Sequence, residues 1–432
     1  YVIRDSVASR GLGDVYKRQD LYIIQLDCED TEINKVLINN NRPLKYSLNG
    51  PKLNIELDRT YGFDDTLTLS IDYTSRPKKG LYFVQNDRSY PNKNVQAWTQ
   101  GEGMDNHNWV PLWDYPNDRS TFEVILTVDT PYTAVSNGEF MGMTDNGITR
   151  TFHWHEHFPM VSYLISFVIG DYRRIEDKYG DLSIGYWVTP EYSDEDALRS
   201  FSRTPEMVAY FNELTGIPYP YEKLDQIIVD DFMWGGMENI TLIHQSSRTM
   251  HTDRARPDHT SDGLVAHEIA HQWFGNMLTT RNWANAWLNE GFASYMESDR
   301  ISDRKFELSR KYDRSLASMN SVSGTAESLH YLYKKSESIV SFLFRVYGNQ
   351  PFQILVSSLN DGLELDSALV KAYGLDRVGL EEEWIADARI TYSRDNKSRI
   401  DKWALGLTFA VVLGVLAFWV RTRCPVSRDM NG

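Results

Sequence analysis

Two histidines one helical turn apart around a glutamate, His267-Glu268-Ile269-Ala270-His271, restrict this chain more than any other feature. On an α-helix, residues i and i+4 share a face. Two imidazoles so placed bind one zinc ion, with the glutamate between them aimed at the metal's open side. Taken alone, the run could also be an amphipathic helix with two partly buried histidines. Glu290 decides against that. Eighteen residues separate it from His271, and it lies in Trp287-Leu288-Asn289-Glu290-Gly291-Phe292-Ala293. A carboxylate one helix later completes a His, His, Glu set and leaves the fourth position for water. Ser261 or Asp262 is placed to cap the first helix.

Composition narrows the class. The chain has 432 residues, 41% hydrophobic and 24% charged, as in a globular protein of two or three domains. A formal net charge of -15 argues against nucleic acid as a partner, because phosphate binding needs a basic surface. The two cysteines, Cys28 and Cys424, stand at opposite ends, which excludes a disulfide framework and any cysteine-rich metal site.

Residues 20–184 read as a β-rich N-terminal domain. Leu21–Leu26, Leu53–Leu57 and Leu67–Tyr73 alternate or run apolar, and Phe122–Val128 and Tyr163–Ile169 continue the pattern. From 185 to 396 the texture becomes α+β. Ser193–Leu214, Ser261–Met277, Asn285–Ser298 and Ser336–Val346 have helical spacing, Asp225–Asp230 reads as a strand, and residues 346–396 are amphipathic and helical. His153, His155 and His157 share one face of a strand, which is read as exposed in preference to a second metal site. Asp64-Asp65 and Glu381-Glu382-Glu383 read as solvated faces or helix-start charges with no assigned role.

The two ends stand apart. Asp14-Val15-Tyr16-Lys17-Arg18-Gln19 resembles the translation of an adapter used in DNA library preparation. Residues 1–19 are therefore read as non-native, at the head of a metagenomic fragment with a truncated first domain. Trp403–Val420 is an uncharged run of 18 residues, about 27 Å long as a helix, with Trp403 and Trp419 near its ends. Residues 397–432 are expected to be a transmembrane anchor and tail, with the bulk of the chain outside the cytoplasm.

Over about residues 95–390 the chain resembles the gluzincin aminopeptidases of the aminopeptidase N and leukotriene hydrolase family. The likeness rests on the His267–His271 run, the eighteen-residue interval and Trp287–Ala293. Three further segments stand in collinear order: Thr99-Gln100-Gly101-Glu102, Gly235-Gly236-Met237-Glu238-Asn239 and Tyr333-Lys334-Lys335. The resemblance implies a thermolysin-like zinc-protease domain and one zinc ion on His267, His271 and Glu290. It implies hydrolysis of peptides that have a free N-terminus. Glu268 is then the general base, and Tyr333 donates to the oxyanion. Glu238 and Glu102 hold the substrate ammonium. Gly235, Gly236 and Met237 form an edge for the substrate backbone, and Trp234 and Gln100 line the pocket for the first side chain.

Four departures from the family pattern matter. Gly236 replaces the usual Ala and is expected to cost little. Ser336-Glu337 replaces the usual Gly-Ala after Tyr-x-Lys. Tyr333 follows His271 by 62 residues, closer than usual, which predicts a reshaped cleft. The chain runs from the catalytic segment straight to the apolar run, which predicts a site open to large peptides. Competing readings are an epoxide hydrolase of the leukotriene type and a binding scaffold that has lost catalysis.

Overall fold

The computed structural model describes residues 21–389, apart from 63, 256–257, 280–282, 298–314 and 317–325. The adapter-like residues 1–19 and the apolar run 403–420 lie outside them. Among the described residues no helix is long and apolar enough to cross a membrane.

The N-terminal region is built from antiparallel sheets, as its alternating sequence predicts. Lys52–Tyr61 turns Leu53, Ile55 and Leu57 inward and pairs with Leu21–Asp27 and Lys45–Leu48. Thr31–Ile38 does the same with Val36 and Ile38, between Arg42–Pro43 and Leu69–Ser75. Two further sheets follow. One orders Thr133–Ser136, Phe167–Gly170, Gln96–Thr99 and Leu81–Val84; the other orders Glu139–Asp145, Thr149–Met160 and Ser120–Asp129. The expected strand Tyr163–Ile169 is half correct. Ser162–Leu164 is a 3-10 turn, because Asn137 and Asn106 bond the carbonyls of Leu164, Ser162 and Ile165 and draw them out of any ladder.

The second region opens with a five-stranded mixed sheet. Its order is Arg173–Tyr179, Leu182–Val188, Lys223–Val229, Leu242–Ser246 and Gly236–Met237. The expected boundary at 184/185 cuts the second of these strands. Strand character continues across that point, so a change of texture could not mark it. One hydrophobic core runs through Trp98, Trp154 and Phe167 of the first region to Ile227, Met237 and Leu242 of the second.

Helices cover this sheet. The expected helix Ser193–Leu214 is two, α1 (Asp194–Phe201) and α2 (Thr204–Thr215), divided ahead of Pro205. Ser193 caps α1 by accepting from Asp196 N. Then come α3 (Asp262–Ala270), α4 (Ala286–Glu297), α5 (Ala326–Tyr347), α6 (Asn349–Asn360), α7 (Leu365–Tyr373) and α8 (377–389). The expected continuous stretch 346–396 is broken at Gly348, Gly362 and Gly374, all with positive φ. Trp273, Phe274, Phe292 and Phe352 are fully buried where α3, α4 and α6 meet. Truncating one such aromatic costs about 3–5 kcal/mol.

Candidate metal centre and active site

α3 is shorter than its sequence predicts, and that shapes the site. It ends at Ala270 with His271 as its C-cap, not at Met277. Beyond it, Asn276 N bonds His271 O, Met277 N bonds Gln272 O, and Leu278 N bonds Trp273 O, each five residues apart. Arg119, from the N-terminal region, donates to the carbonyls of Asn276 and Met277 and covers these wide turns. Ser261 stands at the N-cap but donates to Ser200 O instead of capping the helix.

The expected donor set comes together. His267 Nε2 and His271 Nε2 lie 3.2 Å apart, and Glu290 Oε2 lies 3.8 Å from each. Tetrahedral zinc with bonds near 2.0–2.1 Å spaces its ligands about 3.3 Å apart, so the set fits with small adjustment. Among the described residues it is the only group with such spacing. His271 Nδ1 donates to Phe274 O at 2.9 Å, which fixes the tautomer and leaves the Nε2 lone pair for a metal. Glu290 Oε2 is buried without a hydrogen bond. Burial lowers both imidazoles below their ordinary values, so they stay neutral, as metal ligands must.

Four carboxylates crowd this centre. Burial raises Glu268, Glu290, Glu238 and Glu102 above the usual range, and Glu268 is raised further by the charges of the other three. Each is destabilised as an anion, so the cleft is arranged to receive positive charge. Tyr333 reaches into the same cluster. The charge of Glu290 beside it, with burial, holds its hydroxyl well above the ordinary tyrosine range, and its ring centroid lies 6.2 Å from that of His267. The short 62-residue interval therefore does not keep it from the centre.

Gly235 and Gly236 bring the sheet edge against α3. A Cβ on Gly236 would lie 2.4 Å from the Glu268 carboxyl, and one on Gly235 would lie 2.8 Å from Leu264 Cδ1. Glycine at 236 leaves the Glu268 side chain room against the sheet edge. The carboxyl and Cγ of Glu268 occupy the space an alanine methyl needs. Met237 is buried, and Gln100 Nε2 points at its sulfur at 3.1 Å, so Gln100 braces the edge strand. Trp234 is 44% exposed on the outer lip, packed edge-on against Phe232.

Several supporting residues carry no motif and escaped the sequence reading. Gln272 and Asn276 both donate to Glu238 O, at 3.0 and 2.8 Å. Arg248 donates to the carbonyls of Phe232, Met233 and Trp234 and holds the lip. Tyr163 is buried under the influence of Glu238, Glu102 and Glu290. His153 and His157 pair instead with Glu123 and Glu139 on the partly exposed strand face. The cluster Glu381-Glu382-Glu383 is not simply solvated: Glu381 accepts from the buried Lys335, and Glu383 accepts from Tyr347.

Fold and site together define a metallopeptidase-type cleft, two histidines and a glutamate beneath a sheet edge and beside a β-rich domain. The comparisons agree. The Peptidase M1 N-terminal domain matches residues 14–164, and the Peptidase family M1 domain matches residues 199–339. The chain belongs to peptidase family M1. It is 33% identical over 233 residues to Aminopeptidase M1 of Arabidopsis thaliana, covering 52% of this chain and 26% of that one. It is 25% identical over 413 residues to Probable aminopeptidase 1 of Sulfurisphaera tokodaii, covering 87% of this chain and 50% of that one. The chain thus spans half or less of these relatives' length. The crystal structure of an M1 zinc metallopeptidase from Deinococcus radiodurans shares the fold, with a TM-score of 0.68 at 20% identity over 85% of this chain and 86% of that one.

Proposed function

We propose that this chain is a zinc-dependent aminopeptidase that removes residues singly from the free N-terminus of peptides. The observation that carries this reading is the group of four carboxylates around the histidine pair, Glu238, Glu268 and Glu290 buried and Glu102 half-buried, each raised above the usual carboxylate range. Such a group needs more positive charge than one dication on His267, His271 and Glu290 provides. A substrate ammonium between Glu102 and Glu238 supplies the remainder.

Each residue then has one task. One zinc ion, when bound, supplies a Lewis acid for the scissile carbonyl and lowers the pKa of water. Glu268 takes a proton from the attacking water and delivers it to the leaving amine. The Tyr333 hydroxyl donates to the oxygen that becomes negative, a contact worth about 3–4 kcal/mol in comparable sites. Gly236–Met237, the free edge of the five-stranded sheet, offers its backbone to the substrate as an added strand. Trp234 and Gln100 bound the pocket for the first side chain.

Release of a fluorescent amine from aminoacyl substrates tests the reading. Each substrate is paired with its N-acetylated form and run with and without a zinc chelator. Chelator-sensitive cleavage of free substrates alone supports it. Cleavage of both forms removes the roles given to Glu102 and Glu238. Stoichiometric zinc with no cleavage of either form turns the reading towards an epoxide hydrolase or a scaffold.

We also propose that Trp403–Val420 anchors the chain in a membrane with the catalytic region on the extracytoplasmic side. Its uncharged length supports this. The full chain is then retained in membranes after an alkaline wash, and a 1–396 chain is not. Release of both would defeat the anchor.

A further inference from the structure

We infer that Glu381 is a positioning residue for Tyr333, acting through a buried ion pair with Lys335. The inference rests on the role proposed above for Tyr333.

Tyr333 and Lys335 are two positions apart on α5, so they point to nearly opposite sides of the helix. Tyr333 faces the metal ligands. Lys335 turns away from them and is 1% exposed, with its Nζ 2.5 Å from Glu381 Oε1 on α8 and 5.2 Å from the Trp384 ring centroid. Both Glu381 oxygens also accept from Leu316 N, at 3.2 and 3.1 Å. One turn along α8, Trp384 Nε1 donates to Ser338 Oγ at 3.1 Å. α8 therefore grips α5 at Lys335 and at Ser338, next to the tyrosine.

On the other side α5 presses on α4. A Cβ at Gly291 would lie 2.7 Å from Ser336 O, so the two backbones are in close contact immediately after the ligand Glu290. α5 is held between this contact and the Glu381 tether. Rolling or sliding of α5 would carry the Tyr333 hydroxyl off the reacting carbonyl, where a shift of about 1 Å costs on the order of 100-fold in rate. A buried ion pair contributes little net stability beside an apolar pair of similar volume. What it fixes here is the rotation of one helix. The lysine of Tyr-x-Lys is thus a tether, and its acidic partner lies 46 residues further on.

A double-mutant cycle on the full zinc-loaded chain tests this, using Glu381→Gln, Tyr333→Phe and both together. Glu381→Gln is expected to lower kcat about tenfold or more, with KM and zinc per chain unchanged. In the Tyr333→Phe background it should cause no further loss. Equal losses in both backgrounds, or an unchanged kcat, would overturn the inference. If Glu381→Gln does not fold, the apolar double variant Lys335→Met with Glu381→Leu replaces it, and the same non-additivity is expected. A fluorotyrosine at 333 gives a readout independent of turnover. Its fluorine resonance should shift on Glu381→Gln, and an unmoved resonance would also overturn the proposal. An inactive wild-type chain whose resonance does shift would remove the aminopeptidase reading and leave the tether standing.

Discussion

Lys223 and Glu268 are both buried and both able to carry charge, yet their surroundings are opposite. Lys223 Nζ donates to Ser136 O at 2.8 Å and to Asp225 at 3.0 Å, and lies 4.3 Å from the Trp154 ring centroid. Asp225 takes a second cation, Arg174, at 3.2 Å. Lys223, Asp225 and Arg174 answer one another within the chain. Around Glu268 the neighbours are three more carboxylates, and among the described residues no lysine or arginine lies within ion-pair distance of any of the four. Charge answered from within joins the first region to the sheet. Charge left unanswered waits for something from outside. The contrast separates architecture from function without reference to any motif.

The largest effect expected is that of Glu268→Gln. Turnover should fall about 10³–10⁴-fold with zinc content unchanged, and the metal-free protein should melt higher because one repulsion is gone. A fully active variant would show that Glu268 is not the base. Asp225→Ala should behave in the opposite way. It leaves Lys223 buried without its carboxylate and costs about 3–5 kcal/mol in urea denaturation, while kcat per folded molecule is unchanged. A stable Asp225→Ala variant would break the comparison. Glu238→Gln is expected to lower kcat/KM for free N-termini about 10- to 100-fold without affecting acetylated substrates.

Glu156 tests the boundary between the two kinds of site. It is buried beside Lys223 and accepts from Phe158 N and Thr241 Oγ1, yet burial and the Glu222 charge push its pKa up to about 8. A carboxyl raised in the folded state favours folding while it is protonated. That contribution is complete below about pH 4.5 and is lost as pH rises towards 8. Glu156→Gln should therefore flatten stability between these limits and gain about 1–2 kcal/mol at pH 8, as read from urea midpoints at several pH values. The smallest effect belongs to Gly236→Ala, about a fivefold loss in kcat as the Glu268 carboxyl is pushed aside. An unaltered kcat would show that Glu268 re-seats freely.

What could be read from the sequence follows the range of each interaction. His267 and His271 are fixed by one helical turn, and Glu290 by the next helix, so their meeting was legible. The tether Lys335–Glu381 spans two helices and 46 residues, and nothing local distinguishes Glu381 from the solvated Glu382 beside it. Gln272 and Asn276 act through the wide turns after His271, which helical periodicity predicted as ordinary helix to Met277. The close approach of Glu268 to Gly236 was not legible, because the size of a residue says nothing of what lies opposite it. The 184/185 boundary failed for a related reason, since strands on either side of it have the same texture.

Gln272 and Asn276 take hold of the Glu238 carbonyl from positions just after the candidate ligand His271. The interval from His271 to Glu238 is therefore set within one short covalent stretch and its clasp, not across a hinge. Any opening of the cleft between its two sides carries both jaws of this gauge together. On the proposed reading, admitting a substrate and counting its residues are mechanically separate. A wide mouth can accept long chains while the first bond remains the one presented for cutting.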